Sequence, residues 1–100
     1  MTQGGIVVAT ETLVKPSVTP KHMPMYRVLL HNDDVNTMEY VVQVLVKVIP
    51  SMLPPQATEI MLEAHNNGVA VVIVVPREHA EFYCEQLRQH GLTSSIEPER

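Results

Sequence analysis

Apolar residues gather into blocks along the chain, and the spacing inside each block predicts an element. Met25-Tyr26-Arg27-Val28-Leu29-Leu30 is a compact run with β-branched and aromatic members that ends on His31-Asn32-Asp33-Asp34, so it predicts a strand entering a polar turn. Between Met38 and Ile49 the five valines would suit a strand, yet Met38, Val41, Val42, Leu45 and Ile49 recur at helical spacing. The polar residues decide the matter. Glu39, Gln43 and Lys47 recur at every fourth position and form one solvent stripe on a helix, whereas on a strand they would share a face with Val41 and Leu45. A helix is therefore predicted, with Thr37 or Asn36 as its cap, Glu39 in the positive first turn and Pro50 as its stop.

A second helix is expected from Pro54-Pro55, where proline costs little, to Asn67-Gly68, a left-handed exit, with Ala57, Ile60, Met61 and Ala64 as its buried stripe. Val69 to Val75 is wholly apolar and bounded by Gly68 and Pro76; it predicts a strand buried on both faces at the centre of the sheet. Arg77 to His90 sets Ala80, Cys84 and Leu87 on one helical face before Gly91, and Leu92 to Glu97 supplies a last strand. The order βααβαβ implies a three-stranded sheet with helices packed on one face, an α+β two-layer domain over 25–100. Residues 1–24 hold Gly4-Gly5, three prolines and one short apolar patch, Ile6-Val7-Val8-Ala9, and predict a flexible N-terminal extension.

Size and charge then narrow the function. At 100 residues the chain is one domain, and 45% hydrophobic against 18% charged residues implies a folded core. The net charge of -4, with seven Lys and Arg, offers no basic face for phosphates, so nucleic acid is not expected as a partner and a cationic ligand is. A single cysteine, Cys84, forms no internal disulfide, and no apolar run approaches the ~20 residues of a membrane helix. The first twenty residues have the layout of neither a signal nor a transit peptide, so a cytoplasmic protein without membrane contact is expected.

Catalysis finds little support. Asp33 and Asp34 are adjacent and point to opposite sides if extended, which is poor geometry for a carboxylate pair. The carboxylates Asp33, Asp34 and Glu39 match no calcium-loop spacing and the five histidines show no paired helical arrangement, so neither a metal nor a cofactor is expected. Cys84 reads as a small core residue. As binding groups the same residues do better: Asn32, Asp33 and Asp34 form an acceptor-rich turn suited to a compact cation such as an ammonium group, and His65 with Met61 puts a polar tip and a soft apolar side chain on one helical face. By spacing alone, an ordinary turn and a solvated helix end are the favoured reading of these features.

Two motifs go further. Tyr26 to Val41, YRVLLHNDDVNTMEYV, and Met61 to Gly68, MLEAHNNG, together resemble the ClpS adaptor family, with the similarity running from about residue 24 to 97. The resemblance implies a non-enzymatic adaptor that binds proteins with a bulky hydrophobic N-terminal residue (Leu, Phe, Tyr or Trp) and hands them to the N-terminal domain of a Clp AAA+ unfoldase of ClpA or ClpC type, in a bacterial-type cytosol. It implies that Asn32, Asp33 and His65 grip the α-amino group and that Asp34 with Asn36 forms a rim for the peptide backbone. It implies a hydrophobic pocket walled by Met38, Val41, Met61, Leu62, Ala64 and Leu92, with Met38 as a gate against β-branched residues. Glu78 matches an unfoldase contact, Tyr83 stands where a lysine often makes another, and the tail before Met25 matches the extension used in delivery. Thr37 stands where the family usually has proline, Asn36 where threonine is usual, and Ala64 where valine is common, which makes the loop less rigid and the pocket deeper. The alternative is a ribosomal-stalk-like α+β interaction domain that docks partners on its helices and has no pocket.

Overall fold

The computed structural model describes residues 23–100, so the expected extension lies, but for its last two residues, outside the described residues. The elements are β1 (Met25–His31), α1 (Met38–Val48), α2 (Pro54–Asn67), β2 (Val69–Pro76), α3 (Arg77–Gln89) and β3 (Thr93–Pro98). The three strands form one antiparallel sheet in the order β2-β1-β3. The α+β, βααβαβ architecture expected from the sequence is present.

One expectation is overturned. Val69–Pro76 is an edge strand, and the centre of the sheet is β1, which pairs with both neighbours. Nor is β2 buried on both faces: Val69 is 39% and Val71 43% exposed, while Ala70 and Val72 are buried. Helices cover the sheet on one side only, so half of this charge-free run faces solvent. Its lack of polar alternation has a local cause. Opposite Val28 and Leu29 the ladder skips Val72, and this bulge lets the neighbours Val72 and Ile73 both meet the core.

The helices begin and end where their capping chemistry places them. Thr37 Oγ1 accepts from the Tyr40 N–H at 3.1 Å and starts α1; Ile49, expected inside this helix, is its extended C-terminal cap. Gln56 Oε1 accepts from the Leu53 N–H at 3.1 Å ahead of α2, which ends at Gly68 with φ 92°, a conformation favouring glycine. α2 and α3 lie on the sheet and do not touch each other; α1 packs against both. Leu45, Leu87 and Val28 are the largest fully buried side chains, each contributing about 1.5–3 kcal/mol by leaving water. The α1 face differs from the expected stripe: Val44 is buried and Met38 is 42% exposed, because Met38 sits at the mouth of a cavity and not in the core. Cys84 is buried on α3, as expected. The one buried polar residue described, Ser94, is satisfied by donating its hydroxyl to the Leu29 carbonyl at 2.7 Å.

Candidate functional site

The acidic turn is built by Asp33. Its Oδ1 accepts from the backbone N–H groups of Val35 (3.0 Å) and Asn36 (3.1 Å), a local arrangement in which an aspartate closes the turn behind it. Its Oδ2 has only long contacts, 3.3 Å from Asn36 Nδ2 and 3.4 Å from Thr93 Oγ1, so that oxygen keeps acceptor capacity for a ligand. Burial alone would push the Asp33 carboxyl up, but the hydrogen bonds from the Asn36 and Val35 amides, the Asn36 side chain and Thr93 outweigh it and hold the pKa below the ordinary value. Asp33 is thus a fixed anion at neutral pH.

Two distant segments hold the turn in place. The Asn32 N–H donates to the Gly68 carbonyl at 3.0 Å, which ties the turn to the end of α2. Asn36 Nδ2 donates to the Gly91 carbonyl at 2.9 Å and the Tyr40 hydroxyl to the His90 carbonyl at 2.5 Å, which ties it to the corner between α3 and β3. Gly91 has φ 89°, and only the Asn36 amide oxygen comes near the site of a Cβ there, at 3.9 Å. The amide expected at the peptide rim is therefore also a brace.

These contacts enclose a cavity of about 40 Å³ between β1, α1 and α2. Its polar rim is His31, Asn32, Asp33, Asn36 and His65; its apolar lining is Leu30, Met38, Val41, Met61 and Ala64. Eight of the residues singled out in the sequence meet here. Three others do not line it: Asp34 is exposed on the turn, Leu62 is exposed one residue around the helix from Met61, and Leu92 is in the core. Leu30 and His31 went unnoticed as lining residues, although each directly precedes the turn; His31 Nε2 also lies 2.7 Å from Ser95 Oγ. Glu78 and Tyr83 lie on α3, away from α2. Glu78 is exposed, and Tyr83 is half-buried beside the exposed Phe82, their rings 5.6 Å apart edge to face.

The arrangement suits an amphipathic cation. Acceptors sit at the rim, an apolar floor lies beneath them, and no second carboxylate lines the cavity to share a proton with Asp33. Among the described residues no group of three or more His, Cys, Asp or Glu could hold a metal ion, and no helix is long and apolar enough to cross a membrane.

Known proteins share this arrangement of elements and sequence. The family model described as ATP-dependent Clp protease adaptor protein ClpS matches residues 21–95. The chain is 60% identical over 93 residues to the ATP-dependent Clp protease adapter protein ClpS of Synechococcus elongatus, covering 91% of this chain and 98% of that protein. It is 62% identical over 91 residues to the protein of the same name from Gloeobacter violaceus, with the same coverage. Among solved structures, Agrobacterium tumefaciens ClpS2 bound to L-phenylalaninamide superposes with a TM-score of 0.71 at 34% identity, covering 78% of this chain and all of that one.

Proposed function

Since the chain belongs to the ClpS family of ATP-dependent Clp protease adaptor proteins, we propose that its cavity binds the N-terminal residue of a substrate protein whose first side chain is Leu, Phe, Tyr or Trp. The observation that carries this reading is the ionised Asp33 beside Asn32 and His65 at the rim of an apolar cavity. An α-amino group with a reference pKa of ~7.7–8.0 is largely cationic at neutral pH, whereas an internal peptide nitrogen is neutral. Along the peptide backbone only the chain's amino terminus offers this rim a charge. The L-phenylalaninamide bound to the Agrobacterium relative is consistent with such a ligand, since it joins a free amine to a bulky apolar side chain.

The energetics suit a carrier that must release its cargo. Charge-assisted hydrogen bonds contribute roughly 1.5–3 kcal/mol each and a buried Leu or Phe side chain roughly 1.5–3 kcal/mol. Two or three such bonds and one filled pocket reach at most about -8 kcal/mol once the cost of association is subtracted, so the affinity is micromolar or weaker. In this reading the protein is an adaptor without catalytic activity of its own and works in a soluble compartment. It presents bound substrates to the N-terminal domain of a ClpA- or ClpC-type unfoldase, with Glu78 and Tyr83 on α3 as docking residues. Fluorescence anisotropy with a short Leu-peptide tests the ligand: the free amine binds and the acetylated peptide does not. Equal affinity for the two forms would sink the reading.

A further inference from the structure

The outer edge of β2 is unpaired among the described residues, and it carries no charged side chain to keep other strands away. Its free backbone groups follow from the register. The Asn32 N–H bonds the Gly68 carbonyl at 3.0 Å, so hydrogen-bonded pairs fall at Asn32 with Gly68 and, at the next alternation, at Leu30 with Ala70. Ala70 therefore turns its N–H and C=O toward β1, while Val69 and Val71 turn theirs outward. Beside them lies an open groove of about 290 Å³ over Leu29, Val69, Ala70 and Val71. The regular stretch of edge is short, because the bulge at Val72 interrupts the ladder directly after Val71.

This edge begins where the candidate site ends. Gly68, fastened to Asn32 of the acidic turn, directly precedes Val69, and Val69 stands opposite His31 of the cavity rim. We propose that the residues following the substrate's N-terminal residue leave the cavity across this rim and lie extended along β2 as a fourth strand. The inference rests on the terminus-binding reading and adds a second contact between that site and its substrate. Direction fixes the pairing. A segment that starts at Gly68 and runs toward Pro76 is parallel to β2, and in a parallel pair one residue bonds the groups on either side of the residue it faces. The substrate residue opposite Ala70 donates its N–H to the Val69 carbonyl and accepts the Val71 N–H at its own carbonyl. The side chains of Val69 and Val71, 39% and 43% exposed, give its flanking residues an apolar surface. At ~3.3 Å per residue the stretch from Val69 to Val71 engages about three substrate residues, so with the terminus and the rim crossing the contact ends about six residues into the chain.

Competition anisotropy on the full chain compares Leu-peptide amides of about two, six and ten residues. Affinity is expected to rise roughly tenfold from the shortest to the middle length and to stay within about twofold beyond it. In the middle peptide, N-methylation at one position among the third to the fifth is expected to remove most of that gain, because it deletes the N–H that meets the Val69 carbonyl. Val71→Pro deletes the outward N–H without touching a ladder bond, a substitution that edge strands accept. It is expected to weaken the middle peptide by roughly three- to tenfold and to leave the shortest within about twofold. Should that variant fail to fold, the N-methyl series answers on the wild-type protein. Equal affinity for the shortest and middle peptides, or a gain indifferent to N-methylation at every position, overturns the edge contact and leaves the terminus reading standing. A Val71 amide protected from hydrogen exchange without peptide overturns it as well: protection lost on dilution assigns the edge to a second copy, and protection kept on dilution assigns it to residues 1–22 of this chain. Wild-type protein that binds no peptide removes the terminus reading itself, and the edge contact with it.

Discussion

The backbone N–H of Asn32 donates to the carbonyl of Gly68 at 3.0 Å, so the residue that opens the acidic turn is fastened to the residue that ends the helix carrying His65. The two halves of the cation site are one hydrogen bond apart although they are far apart in sequence. Gly68 adopts φ 92°, and a Cβ there would meet nothing within 4 Å. Gly68→Ala is therefore strained by its backbone conformation and not by a clash, at a cost on the order of 1–2 kcal/mol in a urea titration. Because the strain falls at the fastening, peptide affinity is expected to fall as well.

Asp33 has two jobs that separate by substitution. Asp33→Asn keeps an oxygen for the Val35 and Asn36 amides but loses the charge, so the fold is retained and Leu-peptide affinity falls by roughly tenfold, about 1.4 kcal/mol. Asp33→Ala loses both, and is expected to show weaker binding together with faster hydrogen exchange at the Val35 and Asn36 amides. Unchanged affinity in both variants would remove Asp33 from the site.

The pH dependence follows from the same carboxylate and has two limbs. The Asp33 pKa is depressed in the fold, so its contribution to stability is fully present above its ordinary value of 3.8 and is lost as pH falls through the lower folded value. Thermal melts between about pH 5 and about pH 2 should show a drop that is shallower in Asp33→Asn. Peptide binding responds on the alkaline side: the ligand amine deprotonates above ~8, and affinity should decline toward tenfold per unit beyond it.

Core and site are expected to respond differently to truncation. Leu45 is fully buried, and Leu45→Ala should cost about 2–5 kcal/mol in denaturant unfolding. Met38 lies at the mouth of the cavity, so Met38→Ala should cost under about 1 kcal/mol in stability while changing the ranking of Leu-, Ile- and Val-peptides, as expected of a gate.

Short-range pattern carried much of this protein into view. The Glu39, Gln43, Lys47 stripe named α1 despite its valines, Gly68 and Gly91 marked the ends of α2 and α3, and Asn32-Asp33-Asp34 announced a turn. These features depend on neighbours within a few residues, where backbone sterics and capping bonds act. What needed the tertiary structure was everything set by contact across the chain. The placement of β1 and not β2 at the sheet centre depends on which edges pair, and a charge-free edge strand looks in sequence like a buried one. The brace from Asn36 to Gly91, the Thr93 contact to Asp33, the withdrawal of Leu92 into the core and the shared wall of Met38 and Met61 join residues whose spacing in sequence says nothing of their distance in space. Local chemistry determined which groups the chain could offer a ligand; packing decided which of them face the same cavity.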